Sequence, residues 1–310
     1  VEKMKIANLI KPIVFTSYFG ILTSIFYLFY FQRGISEAGG LVNKIQEFGI
    51  NINLLFLAIL AILFIAGTLL IKYYNYIVYK LEDFKFDKVV ILIAVIFSVI
   101  FSIVAINKHY NFQTGLFDFG LEHQVIWNTS QGRLLDASVE VGNYLGDHFS
   151  PLTIVPGVLY NLYPKAEFVF IFAVLCAGLA ALGIYAISKK ILHPMPQLFS
   201  FVVFIIFFLY MGISGLMLTD YHPVVMALPL LVWGVYFYEF KKVRTGILLL
   251  ILACFAKEDI GVFVGMYGLY NFIFKKDKKG LLLALFGFAI AIVALFVLIP
   301  FFRGVASDTL

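Results

Sequence analysis

Long apolar runs separated by short polar segments dominate this sequence. A helix needs about 20 apolar residues to cross the hydrocarbon core of a bilayer, and fewer where helices break around a cavity. The pattern predicts spans at 12–31, 52–71, 89–106, 167–188, 197–217, 223–239, 245–257, 259–274 and 280–302. We therefore expect an all-α fold, a polytopic transmembrane helical bundle of about nine spans.

Composition agrees with this interpretation. Of the 310 residues, 62% are hydrophobic and 13% are charged, against roughly 25% charged in an ordinary soluble domain. These values exclude a soluble globular enzyme, a disordered chain, a coiled coil and a disulfide scaffold. The two cysteines, Cys176 and Cys254, lie inside apolar runs and are expected to be buried thiols.

The basic residues orient the chain. The net charge is +5, and the basic residues lie in short clusters between apolar runs. This distribution indicates membrane topology and not nucleic-acid binding. Basic residues favour the cytoplasmic side of a membrane. With a cytoplasmic N-terminus, most of them fall on that side, in the segments 3–11, 72–88, 189–190, 241–244 and 275–279. This predicts a multi-pass plasma-membrane protein whose polar loop, residues 107–166 between the third and fourth spans, is helical and extracytoplasmic.

Two stretches leave alternatives open. Residues 151–163 are apolar but contain Pro151 and Pro156, and thirteen helical residues cover only about 20 Å. We expect an interfacial or re-entrant segment there. Residues 245–274 fit one long span or a hairpin of two short helices, and the charge distribution favours the hairpin. Within it, Gly261 and Gly265 form a GxxxG pattern that predicts a close helix contact.

The polar loop holds the first candidate chemistry. Asp118 and Glu122 are four residues apart, so on a helix they share a face. Two carboxylates that close repel each other unless a cation, a proton or a metal lies between them. Asp147 and His148 follow in the same loop. The alternative is a solvated helix with scattered charges.

Two further polar groups fall on the same side of the predicted topology. Asp220 and His222 lie between the fifth and sixth spans, and Lys257-Glu258-Asp259 lies at membrane depth. Charges at that depth cost several kcal/mol unless they are paired or hydrated, which predicts a water-filled cavity. The alternative is an internal Lys–carboxylate pair that holds the bundle together.

A metal site is a weaker hypothesis. Histidine and carboxylate sets bind zinc, and the candidates are His123, His148, His222, Asp147 and Asp220. None of them has a tight ligand spacing such as HxxxH. We therefore assign no metal ligand.

Several motifs together resemble a known family. They are Gly115-x-x-Asp118-x-Gly120, then Gln124, Trp127, Asn128 and Gly132, the run NYLGDHFSP at 143–151, Tyr160-x-x-x-Pro164, Asp220-Tyr221-His222-Pro223 and Lys257-Glu258-Asp259. This set resembles the predicted prokaryotic membrane proteins of domain of unknown function 2079. The resemblance covers about residues 88–302. It implies two added N-terminal helices with a cytoplasmic loop in 1–87 and a transmembrane module in 88–310.

That family in turn is similar to the GT-C glycosyltransferases. Those polytopic enzymes take sugars from polyprenyl-phosphate donors on the outer leaflet and place a catalytic acid in the first outer loop of the module. The resemblance therefore implies a GT-C-like architecture and an inverting transfer. It assigns the catalytic position to Asp118.

The residues fit such a reaction. A carboxylate must take the proton of the acceptor hydroxyl, and we assign this to Asp118, with Glu122 or Asp147 positioning it or holding a metal. Lys257 faces the departing lipid phosphate, and His148 and His222 donate hydrogen bonds. Trp127 and Tyr144 stack on a sugar or anchor the loop at the interface. The other substrate-binding candidates are His123, Asn143, Asp220, Glu258 and Asp259.

The expected partners are a polyprenyl-phosphate sugar lipid and membrane lipids, with no nucleic acid and an acceptor of unknown kind. No cofactor is required, although a divalent cation fits the carboxylates.

The competing hypotheses are a transporter or lipid flippase with an intramembrane charged site, motivated by Lys257-Glu258-Asp259, and a scaffold subunit.

Overall fold

The computed structural model describes residues 84–307 except 116, 139–141 and 219, together with single positions between 65 and 81. Contacts divide the chain into two compact units, residues 1–84 and 85–310. Every element named below lies in the second unit. The predicted spans 12–31 and 52–71 lie outside the described ranges.

Helices make up most of the described chain. In chain order the elements are α1 (Asp87–Tyr110), α2 (Asp118–Ser130), β1 (Asp136–Ala137), β2 (Gly142–Asn143), α3 (Ile154–Leu159), α4 (Ala166–Ile191), α5 (Gln197–Leu209), α6 (Met211–Leu218), α7 (Ala227–Phe240), α8 (Val243–Ala253), α9 (Ile260–Lys275), α10 (Lys278–Val293) and α11 (Ile299–Ser307). Short 3₁₀ turns cover Tyr144–Gly146, Pro151–Thr153, Tyr160–Leu162 and Pro223–Met226, and a π-helical turn, Ala294–Leu298, joins α10 to α11.

Four helical stretches among the described residues are long and apolar enough to cross a membrane. They are Asp87–Tyr110, Ala166–Ile191, Pro223–Phe240 and Lys278–Gly304. Each coincides with a predicted span, at 89–106, 167–188, 223–239 and 280–302. At 24 residues, α1 is about 36 Å long, which exceeds the roughly 30 Å hydrocarbon core.

Within the described residues, the other predicted spans correspond to shorter helices. The stretch 197–217 is broken at Tyr210, whose ψ of 122° lies outside the helical region. The stretch 245–274 is broken between Ala253 and Ile260, as expected around Lys257. The two halves do not pack along each other as a hairpin would: α8 packs mainly against α7, and α9 packs mainly against α10.

Glycines allow these helix pairs to approach closely. A Cβ added to Gly261 would lie 2.6 Å from the carbonyl oxygen of Gly287, and one added to Gly268 would lie 2.5 Å from the backbone nitrogen of Ala284. Small residues at such positions let helix backbones touch. The close contact predicted from Gly261 and Gly265 is therefore present, between α9 and α10.

The largest buried cluster lies among α4, α7, α8 and α9. It includes Phe170, Ala173, Val225, Leu250 and Val264. Both cysteines are free and buried, as expected. Large apolar side chains on α1, α9 and α10 are instead exposed, and such a surface is stable in lipid but not in water.

Residues 111–165 of the polar loop connect α1 to α4. The loop contains the predicted helix, α2, and a small antiparallel ribbon that the sequence did not predict, in which Asp136 faces Asn143. The stretch Pro151–Leu162, with α3 at its centre, packs against α2. A Cβ on Gly157 would lie 2.4 Å from Cγ2 of Thr129, so glycine is what allows this contact.

Candidate functional site

Two carboxylates from distant parts of the chain meet beside Gly115. The backbone N–H of Gly115 donates to Oδ2 of Asp220 at 2.8 Å. A Cβ on Gly115 would lie 2.7 Å from Oδ2 of Asp220 and 3.6 Å from Oδ2 of Asp118, so the two oxygens are separated by no more than the sum of these distances. Asp118 is exposed at the start of α2. Oδ1 of Asp220 is buried without a hydrogen-bond partner, which leaves it available to a ligand.

Glu122 lies four residues further along α2 but in a different environment. Only 4% of it is exposed. The hydroxyl of Tyr144 donates to its Oε1, while Oε2 is buried without a partner. Burial raises the pKa of Glu122 from 4.5 to about 8, because an apolar environment disfavours the charged form. The repulsion expected between Asp118 and Glu122 is therefore relieved by a proton.

The position of Tyr144 corrects one prediction. Its side chain has no exposed surface, so it cannot stack on a sugar or anchor the loop at the membrane interface. Desolvation and the neighbouring Glu122 raise the pKa of its hydroxyl, which keeps it a hydrogen-bond donor. The sequence gives its residue type but not its burial.

The segment Asn143–Pro151, here called the NYLGDHFSP segment, is fastened to the break between α8 and α9. Glu258 makes two contacts: Oε1 lies 3.1 Å from Nδ1 of His148, and Oε2 accepts from the N–H of Phe149 at 3.0 Å. The hydroxyl of Ser150 donates to the carbonyl oxygen of Ala256. These bonds fix the polar loop to the helix break.

His148 and Lys257 give this region cationic character. The hydrogen bond with Glu258 raises the pKa of His148, and Oδ2 of Asp147 lies 3.6 Å from its Nε2. Lys257 is close enough for its charge to act on Glu122, His148 and Glu258. Within the described part of the chain it has no carboxylate within 4.0 Å. Glu258 thus pairs with His148, and Lys257 is not held in the structural ion pair considered above.

The model of a family described as "Predicted membrane protein (DUF2079)" matches residues 108–310. The chain belongs to this family. No curated protein and no solved structure gives a significant match. The match confirms the family resemblance seen in the motifs, and together with the apolar helices it identifies an integral membrane protein.

Three other candidate residues of this DUF2079 protein, His123, Asn143 and Trp127, make contacts with residues other than the acids described above. Nε2 of His123 lies 2.7 Å from the hydroxyl of Tyr160, and burial lowers its pKa, so it is a neutral packing group between α2 and Pro151–Leu162. The side chain of Asn143 accepts from the N–H of Leu145 at 2.9 Å and forms a local turn. Trp127 is 45% exposed, with the Arg133 guanidinium 5.2 Å from its ring centre.

The side chains of His222 and Asp259 lack polar partners among the described residues. Among the described residues neither side chain makes a hydrogen bond or an ion pair, and His222 borders the Asp220 carboxylate in sequence. Asp259 is exposed at the start of α9. Both side chains remain available to a ligand.

Sequence reasoning missed Arg303. Its Nε donates to the carbonyl oxygen of Gly146 at 3.1 Å, and a Cβ on Gly146 would lie 3.0 Å from the Arg303 backbone nitrogen. The NYLGDHFSP segment is thus held between the α8–α9 break and α11. Gly146 in the NYLGDHFSP segment was the only sequence signal for this contact, since nothing near Arg303 resembles a motif.

The described residues contain no group of three or more His, Cys, Asp or Glu side chains arranged to hold a metal ion. Asp118 and Asp220 make a group of only two carboxylates beside Gly115, and the nearby Glu122 is neutral at pH 7.

Proposed function

We propose that this DUF2079 protein is an integral membrane glycosyltransferase of GT-C-like architecture. It transfers a sugar from a polyprenyl-phosphate donor to an acceptor at the extracytoplasmic face. The observation that carries the proposal is the meeting of Asp118 and Asp220 beside Gly115. This pair lies at the end of the membrane helix α1, where a lipid headgroup and a polar acceptor can meet.

Asp118 is the base of the proposed reaction. As the bond between the sugar and its phosphate breaks, the sugar carbon gains positive charge, and the acceptor hydroxyl must lose its proton to attack. Asp118 is exposed and makes no ion pair with the described residues, so its carboxylate is available. Asp220, held by the Gly115 N–H, positions the acceptor through its free Oδ1.

Lys257 is the cation for the leaving phosphate. A phosphate that departs from a sugar needs a positive charge placed where its own negative charge develops. Three features support Lys257: it has no carboxylate partner among the described residues, the nearby Glu122 is protonated, and Glu258 is engaged by His148 and Phe149. Glu122 and Glu258 therefore do not cancel the charge of Lys257.

The first test is turnover of purified protein in proteoliposomes supplied with polyprenyl-phosphate sugars. Asp118→Asn should lower the transfer rate by about 100-fold or more, the range expected for loss of a general base, while donor binding persists. Asp136→Asn is the control, because Asp136 lies in the β1 strand beside Arg133. Unchanged turnover in Asp118→Asn would remove Asp118 from the base role.

The second test identifies the donor. Lipids that co-purify with the protein from its native membrane are analysed by mass spectrometry for wild type, Lys257→Ala and the exposed-lysine control Lys242→Ala. A polyprenyl-phosphate sugar that is enriched on wild type and the control but lost from Lys257→Ala supports the donor site. Bulk phospholipid on all three contradicts it.

A proton-coupled transporter is the second candidate, and Glu122 is the observation that favours it. A buried carboxyl with a pKa of about 8 beside a lysine has the properties of a proton carrier in a membrane. Under this proposal Glu122→Gln should abolish uptake driven by a pH gradient. If Glu122→Gln instead retains sugar transfer and no uptake is seen in wild type, the transporter is excluded.

A further inference from the structure

The helical stretch Pro151–Leu162 has two distinct faces. One face is buried against α2 and consists of Thr153, Pro156, Gly157 and Tyr160. The other face consists of Val155, Val158, Leu159 and Leu162, with exposed fractions of 43%, 61%, 38% and 81%. Their spacing of three and four residues places them on one side of a helix. We call these four residues the apolar face.

The polar side chains Thr153 and Tyr160 of this stretch are buried, while Asn161 is exposed and bonds to the neighbouring backbone. The hydroxyl of Tyr160 lies 2.7 Å from Nε2 of His123, and Nδ2 of Asn161 donates to the carbonyl oxygen of Ser130 at 3.3 Å. Thr153 is fully buried. A surface helix in water shows the opposite arrangement, with apolar residues inward and polar residues outward. The apolar face therefore needs a covering that is itself apolar.

The position of the stretch indicates what covers it. The membrane helix α4 begins at Ala166, and the four residues from Leu162 span at most about 14 Å. Next to the apolar face, Nζ of Lys165 lies 5.5 Å from the ring centre of Tyr163. Tyrosines and cations gather at the membrane–water boundary, where the ammonium meets lipid phosphates.

We propose that the apolar face is inserted into the bilayer at the boundary between headgroups and acyl chains, with phospholipid as its occupant. Such partial burial is the usual mode of an interfacial helix. Because Pro151–Leu162 packs on α2, insertion holds the helix that begins at Asp118 against the lipid surface. Ligands of that helix then arrive from the headgroup layer. The inference does not depend on sugar transfer, since its test is read without turnover.

Tryptophan fluorescence tests the insertion. The chain has two tryptophans, so Trp127→Phe with Trp233→Phe gives a silent background. Single reporters are then added as Leu162→Trp and, independently, Val158→Trp, both at strongly exposed positions that tolerate a larger side chain. Leu134→Trp is the matched control, because Leu134 is 59% exposed, directly follows Arg133 and lies two residues before Asp136.

The proteins are reconstituted in phospholipid that is plain or brominated on its acyl chains, and iodide is added to the aqueous phase. Insertion predicts that brominated lipid quenches both face reporters by at least half while iodide has little effect on them. Quenching of the face reporters by iodide, as expected for Leu134→Trp, would overturn the proposal. Protection from both quenchers would also overturn it, because protein would then cover the face.

Discussion

Tyr144 donates its hydroxyl hydrogen to Oε1 of Glu122, and both side chains are buried. This bond joins the NYLGDHFSP segment to α2, the two parts of the polar loop that carry most of the candidate chemistry. The same burial keeps Glu122 protonated at neutral pH. The contact is thus a structural link, while the burial of Glu122, and not the bond itself, is the reason why Asp118 and Glu122 differ in charge.

The first prediction concerns the stability of Glu122→Gln. Glu122 has a pKa of about 8 in the folded protein and 4.5 as its ordinary value. Its contribution is therefore fully present below about pH 4.5 and is lost as the pH rises to about 8. Glutamine accepts the Tyr144 bond and does not titrate. We expect the stability of Glu122→Gln relative to wild type to increase by up to about 1.4 kcal/mol per pH unit over that window.

Thermal unfolding in detergent between about pH 5 and pH 9 measures this difference. Tyr144→Phe is the companion variant, because it removes the donor and leaves Glu122 in place. It should be less stable than wild type at every pH. A difference between Glu122→Gln and wild type that does not change with pH would contradict the buried, protonated state.

The second prediction concerns Gly115. A Cβ at this position would lie 2.7 Å from Oδ2 of Asp220, so Gly115→Ala should displace that carboxylate and weaken its bond to the backbone. If the proposed transfer uses Asp118 and Asp220 together, we expect at least a tenfold loss of turnover with little change in melting temperature. The control is Gly120→Ala on α2, where a Cβ meets nothing within 4 Å. If the two variants were equally active, Asp118 and Asp220 would not act together in catalysis.

The third prediction concerns the bond between His148 and Glu258. This bond raises the pKa of His148, so the stability that it contributes is present below the ordinary pKa of histidine and is lost as the pH rises through the raised value. In Glu258→Gln the pKa of His148 should fall. NMR titration of the His148 ring measures it directly, with His222 as an internal reference. An unchanged His148 pKa would show that Glu258 does not set it.

The sequence predicted the long elements well because a membrane span needs a long apolar run, and such runs are visible at α1, α4, α7 and α10. It also predicted a helical loop between the third and fourth spans, where α2 lies. It did not predict the interruption at Tyr210, because the apolar run continues through it. Helix breaks inside uniform apolar runs depend on tertiary contacts that composition does not encode.

The site was predictable in its residue types but not in its pairings. The sequence indicated that Asp118 and Glu122 needed a cation, a proton or a metal between them. The choice depends on the burial of Glu122, in a pocket that includes Tyr144, a residue 22 positions further along the chain. Likewise, Asp118 and Asp220 approach each other beside Gly115 only when the segment that follows α6 folds against the start of the polar loop. Long-range packing thus decides which acids stay charged.

The final prediction tests the close packing of α9 against α10. A Cβ at Gly268 would lie 2.5 Å from the backbone nitrogen of Ala284 and 2.7 Å from the carbonyl oxygen of Gly280. Since both atoms belong to the backbone, Gly268→Ala must push the helices apart. We expect a loss of about 1–3 kcal/mol, the usual cost of overpacking, seen as a lower melting temperature in detergent.

The matched control is Gly215→Ala, which adds the same methyl group to a helix where nothing lies within 4 Å. Alanine favours helix over glycine by about 1 kcal/mol, so this variant should melt at or above the wild-type temperature. If Gly268→Ala behaved in the same way, α9 and α10 could not be in backbone contact. The break between α8 and α9 that presents Lys257 would then lack the rigid support that the α9–α10 pair gives it.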